Sequence, residues 1–380
     1  MIPNDLPKTY PGIDLLRGFA AILVLVYHVI ALGGWESVPH TGIGYVFRHG
    51  WVGVDLFLVI SGFVISLSAL KGVSEQGQHF RGHFVRRRLR RILPLYLLTG
   101  LLFLLLVQPI LLLLPHAKLA AHIVSHLLFI HNFFPGTHGS INGPNWSVAL
   151  EMQFYFVIML AAPWLARTSA TTLLATAVAV AAAWRFATMQ VLVPGTAAPI
   201  VQFIYTTQLP GVIDEFALGI ALAIVVHRGS GPMARWLTPA WVHCVAWMLL
   251  AMIVLTVAIQ LDRTFTYWSH PWMILGWRLI LSGGFAALLA AAITFPWAGA
   301  RVLSPLRYLG DISYGLYLWH LLVLLSITAA IPALPGPRLL VYVLVSTAAL
   351  ASLSWHLLEK PNLRRYKAPP VAAPSMTSPA

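Results

Sequence analysis

The stretch DLLRGFAAILVLVYHVIAL, residues 14–32, is long and apolar enough to cross a bilayer, yet it carries Asp14, Arg17 and His28. A span needs about 20 predominantly apolar residues, and an ionisable side chain inside one is costly enough that its first reading is functional. Arg17 and His28 are eleven residues apart. At about 100° and 1.5 Å per residue, that separation returns to nearly the same helix face, roughly 16 Å further along the axis. Asp14 lies one turn before Arg17 on almost the same face. One helix thus presents an anion-binding cation near one membrane surface and a titratable imidazole toward the other. The plainer alternative gives His28 no more than a hydrogen bond to a neighbouring helix.

The rest of the chain has the same character. Of its 380 residues, 59% are hydrophobic and 9% charged, with mean hydropathy +0.80. A soluble domain carries roughly 25% charged residues, so a core alone cannot absorb this sequence. The formal charge of +13 is unaccompanied by any nucleic-acid module, and no nucleic-acid partner is expected. A single cysteine, Cys244, excludes an internal disulfide and a multi-cysteine metal site; no metal is expected. No cleavable signal peptide is evident, because the first apolar run lacks a short hydrophobic region with a small-residue cleavage site.

The hydropathy pattern predicts an all-α, polytopic membrane protein of about ten spans: 13–32, 51–70, 93–114, 146–166, 171–189, 209–227, 240–260, 274–296, 310–331 and 338–358. Residues 119–134 are apolar but short, and hold His122, His126 and His131; an interfacial or re-entrant segment is expected there. With both termini cytoplasmic, 18 of the 24 Lys and Arg fall inside, seven of them in a 71–92 loop. The opposite orientation would reverse that split, so the positive-inside rule favours cytoplasmic termini. The expected organisation is a cytoplasmic segment 1–12, one membrane domain 13–360, and a Pro/Ala/Ser-rich disordered tail 361–380.

Several constellations could carry chemistry. The run HFRGHFVRRRLRRILPLY, 79–96, holds six arginines; it reads either as a topogenic patch on anionic lipid heads or as a dock for a polyphosphorylated ligand. In GWVGVDLFLVISGFVIS, Asp55 lies near the outer end while Ser61 and Gly62 sit mid-membrane, Gly62 for close helix packing. Asp55 shares the outer third with His28, so a carboxylate–imidazole pair is possible. NWSVALEMQFYF places Glu151 inside the outer surface, with Trp146 and Tyr155 as anchors or pocket walls. Asp214 and Glu215 are again in the outer third. Together His28, Asp55, Glu151, Asp214 and Glu215 are expected to form one polar cluster. In YLGDISYGLYLWHLLVLL, Tyr317 shares a face with His320, which reads equally as a buried structural histidine or a catalytic one.

Six of these segments in order, DLLRGFAAILVLVYH, GVDLFLVISGFVI, RRRLRRILPLY, NWSVALEMQFYF, GDISYGLYLWH and LEKP, resemble the acyltransferase 3 family of integral membrane acyltransferases, over about residues 12–362. The resemblance is to the stand-alone form, so no appended SGNH hydrolase-like domain is expected. The resemblance implies O-acylation of a carbohydrate-containing acceptor (surface polysaccharide, lipopolysaccharide or glycolipid) in a bacterial cytoplasmic (inner) membrane. It implies acyl-CoA, usually acetyl-CoA, as donor, with no permanently bound cofactor. His28 matches the family's proposed base and Arg17 its basic partner. Arg88 and Arg91 match an R-x-x-R element, with Arg87 the neighbouring register, and Glu151 matches an acidic residue. Cytoplasmic arginines would hold the phosphate-rich head of CoA while its arm threads toward His28, oriented by Asp55 or Glu151. Asp14, Ser61, Tyr155, Asp214, Glu215, Tyr317 and His320 complete the expected polar pocket. The rival reading is a proton-coupled transporter or flippase of a lipid-linked sugar; inverted repeats would favour it, and none is visible.

Overall fold

The computed structural model describes residues 10–192 and 198–364, and every regular element among them is helical. Among the described residues ten helices are long and apolar enough to cross a membrane: α1 Pro11–Leu32, α2 Gly50–Gln76, α3 Phe80–Leu106, α4 Asn145–Leu165, α5 Ala170–Gln190, α6 Leu209–Arg228, α7 Trp241–Thr264, α8 Pro271–Thr294, α9 Ser313–Ala330 and α10 Gly336–Arg364. This is the architecture the hydropathy pattern predicts, and the chain is a multi-pass membrane protein. The expected terminal segments fall largely at 1–9 and 365–380, outside the described residues.

The boundaries differ most around the arginines. The expected 71–92 loop is helical instead: α2 continues to Gln76 and α3 begins at Phe80. Arginine is a good helix former, and no proline interrupts 80–93, so the basic run extends the third span rather than preceding it. That places Phe84, Arg88, Ile92 and Leu95 on one buried stripe at helical spacing. The ninth span starts three residues late, because a short helix Ser304–Asp311 ends at Ile312 before α9 begins. The apolar segment near 119–134 contains the helix His116–Leu127, whose 12 residues rise only about 18 Å. It is too short to span.

Without a hydrophobic force between helices in lipid, close backbone approach decides packing. A Cβ placed on Gly62 would lie 2.1 Å from the Phe216 carbonyl oxygen, and one on Gly219 2.1 Å from that of Val59. The packing role expected of Gly62 is therefore met, and α2 and α6 are locked backbone to backbone. At the other extreme, α7 turns Val242, Val245, Leu249, Ile253 and Val257 outward as a lipid-facing stripe. The end of the bundle where α1 begins carries the arginines and is called the basic end below.

Candidate active site

A cavity of about 610 Å³ opens at the basic end among Lys71, Glu75 and Arg87. Arg17 of α1 and Arg88 and Arg91 of α3 line its wall, together with Ser61 of α2 and Glu151 and Tyr155 of α4. It ends deep in the bundle at Phe57, Ser147 and Tyr317. The helical register separates the arginines of this run by burial. Arg88 is buried and Arg91 half-buried, whereas Arg87 is exposed at the mouth and Arg86 faces away.

The charges in this cavity are unbalanced. The Arg88 guanidinium lies 5.4 Å from the Phe84 ring centroid and 5.5 Å from that of Tyr155, contacts of cation–π type. Its Nε is buried with no acceptor, and among the described residues Arg88 has no ion pair. Arg17 has only a long pair with Asp14, at 3.9 Å. Glu151 makes no direct ion pair with an arginine among the described residues: its Oε1 accepts from the Ser61 hydroxyl at 3.1 Å and from the Tyr155 hydroxyl at 2.5 Å, and its charge acts on Arg17 and Arg88 only from a distance. A buried cation lacking a direct ion pair is costly, and this wall keeps one beside an open cavity.

Neither His28 nor His320 lines the cavity. Tyr317 closes it: its hydroxyl meets that of Ser147 at 2.7 Å and donates to the Pro144 carbonyl at 3.1 Å. His320 packs behind the Tyr317 ring at 5.8 Å, and His28 beyond it, 4.9 Å from the His320 ring. The expected open path for an extended arm from Arg17 to His28 is thus interrupted by the Phe57 and Tyr317 rings, which meet edge to face at 6.1 Å. His28 is partly exposed, while His320 is 1% exposed.

The expected carboxylate–imidazole pair is not formed. His28 bonds through Nδ1 to the Val24 carbonyl at 2.9 Å and lies 3.3 Å from His320 Nε2. Asp55 instead forms a buried ion pair with Arg278. Asp214 pairs with Arg185 at 2.9 Å, and Glu215 sits between both arginines, 3.8 Å from Arg185 and 3.7 Å from Arg278. The physical reason is that a buried carboxylate is held best by a permanent cation, which Arg278 and Arg185 supply to Asp55 and Asp214 and a histidine does not; Glu215 lies near both arginines with neither oxygen hydrogen-bonded. The single polar cluster expected from sequence is therefore split three ways, with Asp55, Asp214 and Glu215 in one group, Glu151 on the cavity wall, and His28 beside His320. Arg185 and Arg278 are not among the residues the sequence singles out. Arg278 lies four residues inside its expected span, which by the costliness of intramembrane charge was the available signal. Ser147 was also missed, although it stands in the quoted NWSVALE segment.

The acyltransferase 3 family model, an acyltransferase domain, matches residues 10–356. The chain belongs to the acyltransferase 3 family. Within it, a Bacillus subtilis protein named as a candidate peptidoglycan O-acetyltransferase, YrhL, is 28% identical over 92% of this chain and 54% of its own length. A Komagataeibacter xylinus protein named as a candidate membrane-bound transacylase, BcsY, is 25% identical over 95% of this chain and 85% of its own. The peptidoglycan O-acetyltransferase OatA of Listeria monocytogenes is 25% identical over 93% of this chain and 56% of its own. This acyltransferase 3 chain spans about half the length of YrhL and OatA. No solved structure matches it.

Proposed function

We propose that the chain is a membrane O-acyltransferase that moves an acyl group, acetyl in the first instance, from acyl-CoA to a hydroxyl of a carbohydrate-containing acceptor. The observation that carries this reading is Arg88, a buried guanidinium with no ion pair among the described residues, on the wall of a cavity it shares with Arg17, Arg87 and Arg91. Guanidinium forks grip phosphate bidentately, and CoA is a phosphate-rich head on a long thin arm. The arginine-lined mouth suits the head and the narrowing toward Ser147 and Tyr317 suits the arm.

In this reading His28 Nε2 takes the proton of the acceptor hydroxyl as its oxygen attacks the thioester carbonyl. The C–S bond breaks, an ester forms, and the CoA thiolate takes up the proton from the imidazolium. The step requires Tyr317 or Phe57 to move, since those rings stand between the cavity and the histidines. Exclusion of water from the bundle limits loss of the thioester to hydrolysis. The positive-inside bias supports a cytoplasmic basic end, where acyl-CoA is available, with both termini on the same side. A bacterial inner membrane and a surface polysaccharide, lipopolysaccharide or glycolipid acceptor complete the proposal; the names of YrhL and OatA point to peptidoglycan as one acceptor to try.

The test is acetyl-CoA binding and CoA release by the purified protein in nanodiscs, for wild type and His28→Ala. Binding and turnover in the wild type, with binding kept and turnover lost in the variant, is the expected result. A wild type that neither binds nor consumes short-chain acyl-CoA overturns the reading.

A further inference from the structure

His320 has both ring nitrogens engaged and cannot itself reach a substrate. Its Nδ1 lies 2.6 Å from the Tyr317 carbonyl oxygen. A carbonyl only accepts, so Nδ1 carries the hydrogen, and in neutral His320 the lone pair sits on Nε2. That lone pair faces His28 Nδ1 at 3.3 Å. His28 Nδ1 also lies 2.9 Å from the Val24 carbonyl oxygen, so it too carries a hydrogen, shared between the two acceptors. Two consequences follow: the bare nitrogen of His28 is Nε2, and its Nδ1–H is held from both sides.

We propose that His320 is the positioning residue for His28, replacing the carboxylate that orients the base in a serine-type triad. An imidazole in that place holds the tautomer and the ring plane without bringing a charge into the bilayer. The Tyr317 carbonyl in turn holds His320, so the residue that closes the cavity also anchors the base. This inference rests on His28 being the base in the proposed transfer.

Two variants and one spectrum test it. His320→Gln keeps an acceptor oxygen near the place of Nε2, whereas His320→Leu keeps the volume and removes the acceptor. General-base catalysis is worth roughly 10²–10⁴ in rate, and losing its orientation should remove at least about tenfold of kcat. The Leu variant should therefore lose that factor with the KM for acetyl-CoA within about twofold of wild type, and Gln should restore kcat to within about threefold. Equal losses in Gln and Leu, or full kcat in Leu, overturn the assignment; a purely structural role would depress both with their melting temperatures. Independently of activity, ¹⁵N spectra of histidine-labelled wild type, with His28 assigned through His28→Gln, should show protonated Nδ1 and bare Nε2. The opposite tautomer overturns the pairing. A wild type that shows the expected tautomer but releases no CoA upholds the pairing and overturns the acyltransferase reading instead.

Discussion

Two groups of buried arginines occupy this bundle, and they are treated in opposite ways. Near the end far from the basic mouth, Arg185 and Arg278 are 1% and 4% exposed and fully surrounded: Asp55, Asp214 and Glu215 pair with them, and the Gly211 and Leu275 carbonyls take further hydrogens from Arg185. At the basic end, Arg88 is 6% exposed and is met by two aromatic faces but by no carboxylate among the described residues. Burial is nearly equal, so burial alone cannot separate structural arginines from ligand-binding ones. Charge satisfaction does. The paired guanidinium groups join helices α2, α5, α6 and α8; the unpaired one beside the cavity is, in the proposed function, the one that meets the donor's phosphates.

The sharpest way to break that distinction is to remove one paired arginine. Arg278→Met leaves Asp55 as an uncompensated buried charge, and breaking such a pair destabilises by about 3–5 kcal/mol. An SDS-denaturation midpoint should fall accordingly, and Asp55→Asn in the same chain should restore much of it. Arg88→Ala is expected to do the reverse. Hydrogen bonds to charged groups contribute about 1.5–3 kcal/mol, so acetyl-CoA affinity by calorimetry should fall about 10- to 100-fold while the SDS midpoint barely moves. Arg88→Lys should restore little, because an ammonium lacks the bidentate fork. Gly219→Leu acts on both regions, since α2 carries Asp55 on one side and the cavity wall on the other. Its side chain meets the Val59 carbonyl, and overpacking of this kind destabilises by about 1–3 kcal/mol. Stability and donor affinity should drop together, unlike in either arginine variant.

Acid should act on a third region and spare the comparison. His126, His131 and His138, between α3 and α4, are buried, and desolvation pushes their pKa down to about 4, about 3 and about 4. The folded state therefore binds fewer protons than the unfolded chain, whose histidines titrate near ~6.5. Their contribution to stability is intact above pH ~6.5 and is lost as pH falls toward about 4. A melting temperature that declines between pH 7 and 5, with a shallower slope in His138→Gln, is the expected outcome.

How much of this was legible in advance depends on the kind of information. Spans are written locally, in runs of about 20 apolar residues, and all ten were readable. Arg88 was reached through the family resemblance of the arginine run, which is carried by one segment, although that run itself was expected to be a loop. Partner choice is different. Asp55 and Arg278 are 223 residues apart, His28 and His320 are 292 apart, and nothing in either segment specifies the other. Depth in the membrane put Asp55 level with His28, but lateral position around the bundle decides contact, and only packing fixes that. The close approach of α2 to α6 through Gly62 and Gly219 carries Asp55 toward α8 and its arginine.

The smallest expected effect is the most discriminating control. Arg86 sits two residues before Arg88, in the same basic run, and is exposed and outside the cavity lining. At about 100° per residue the two side chains point roughly 160° apart on α3. If the arginines attracted CoA only by their summed charge, Arg86→Ala and Arg88→Ala would weaken binding alike. If geometry decides, Arg86→Ala should change acetyl-CoA affinity by less than about twofold at 0.15 M salt, where the screening length is about 8 Å. A small residual loss that grows as salt is lowered would mark the long-range field of the patch and leave the contact role with Arg88. Equal losses at physiological salt would dissolve the contrast between paired and unpaired arginines and return the run to a topogenic patch.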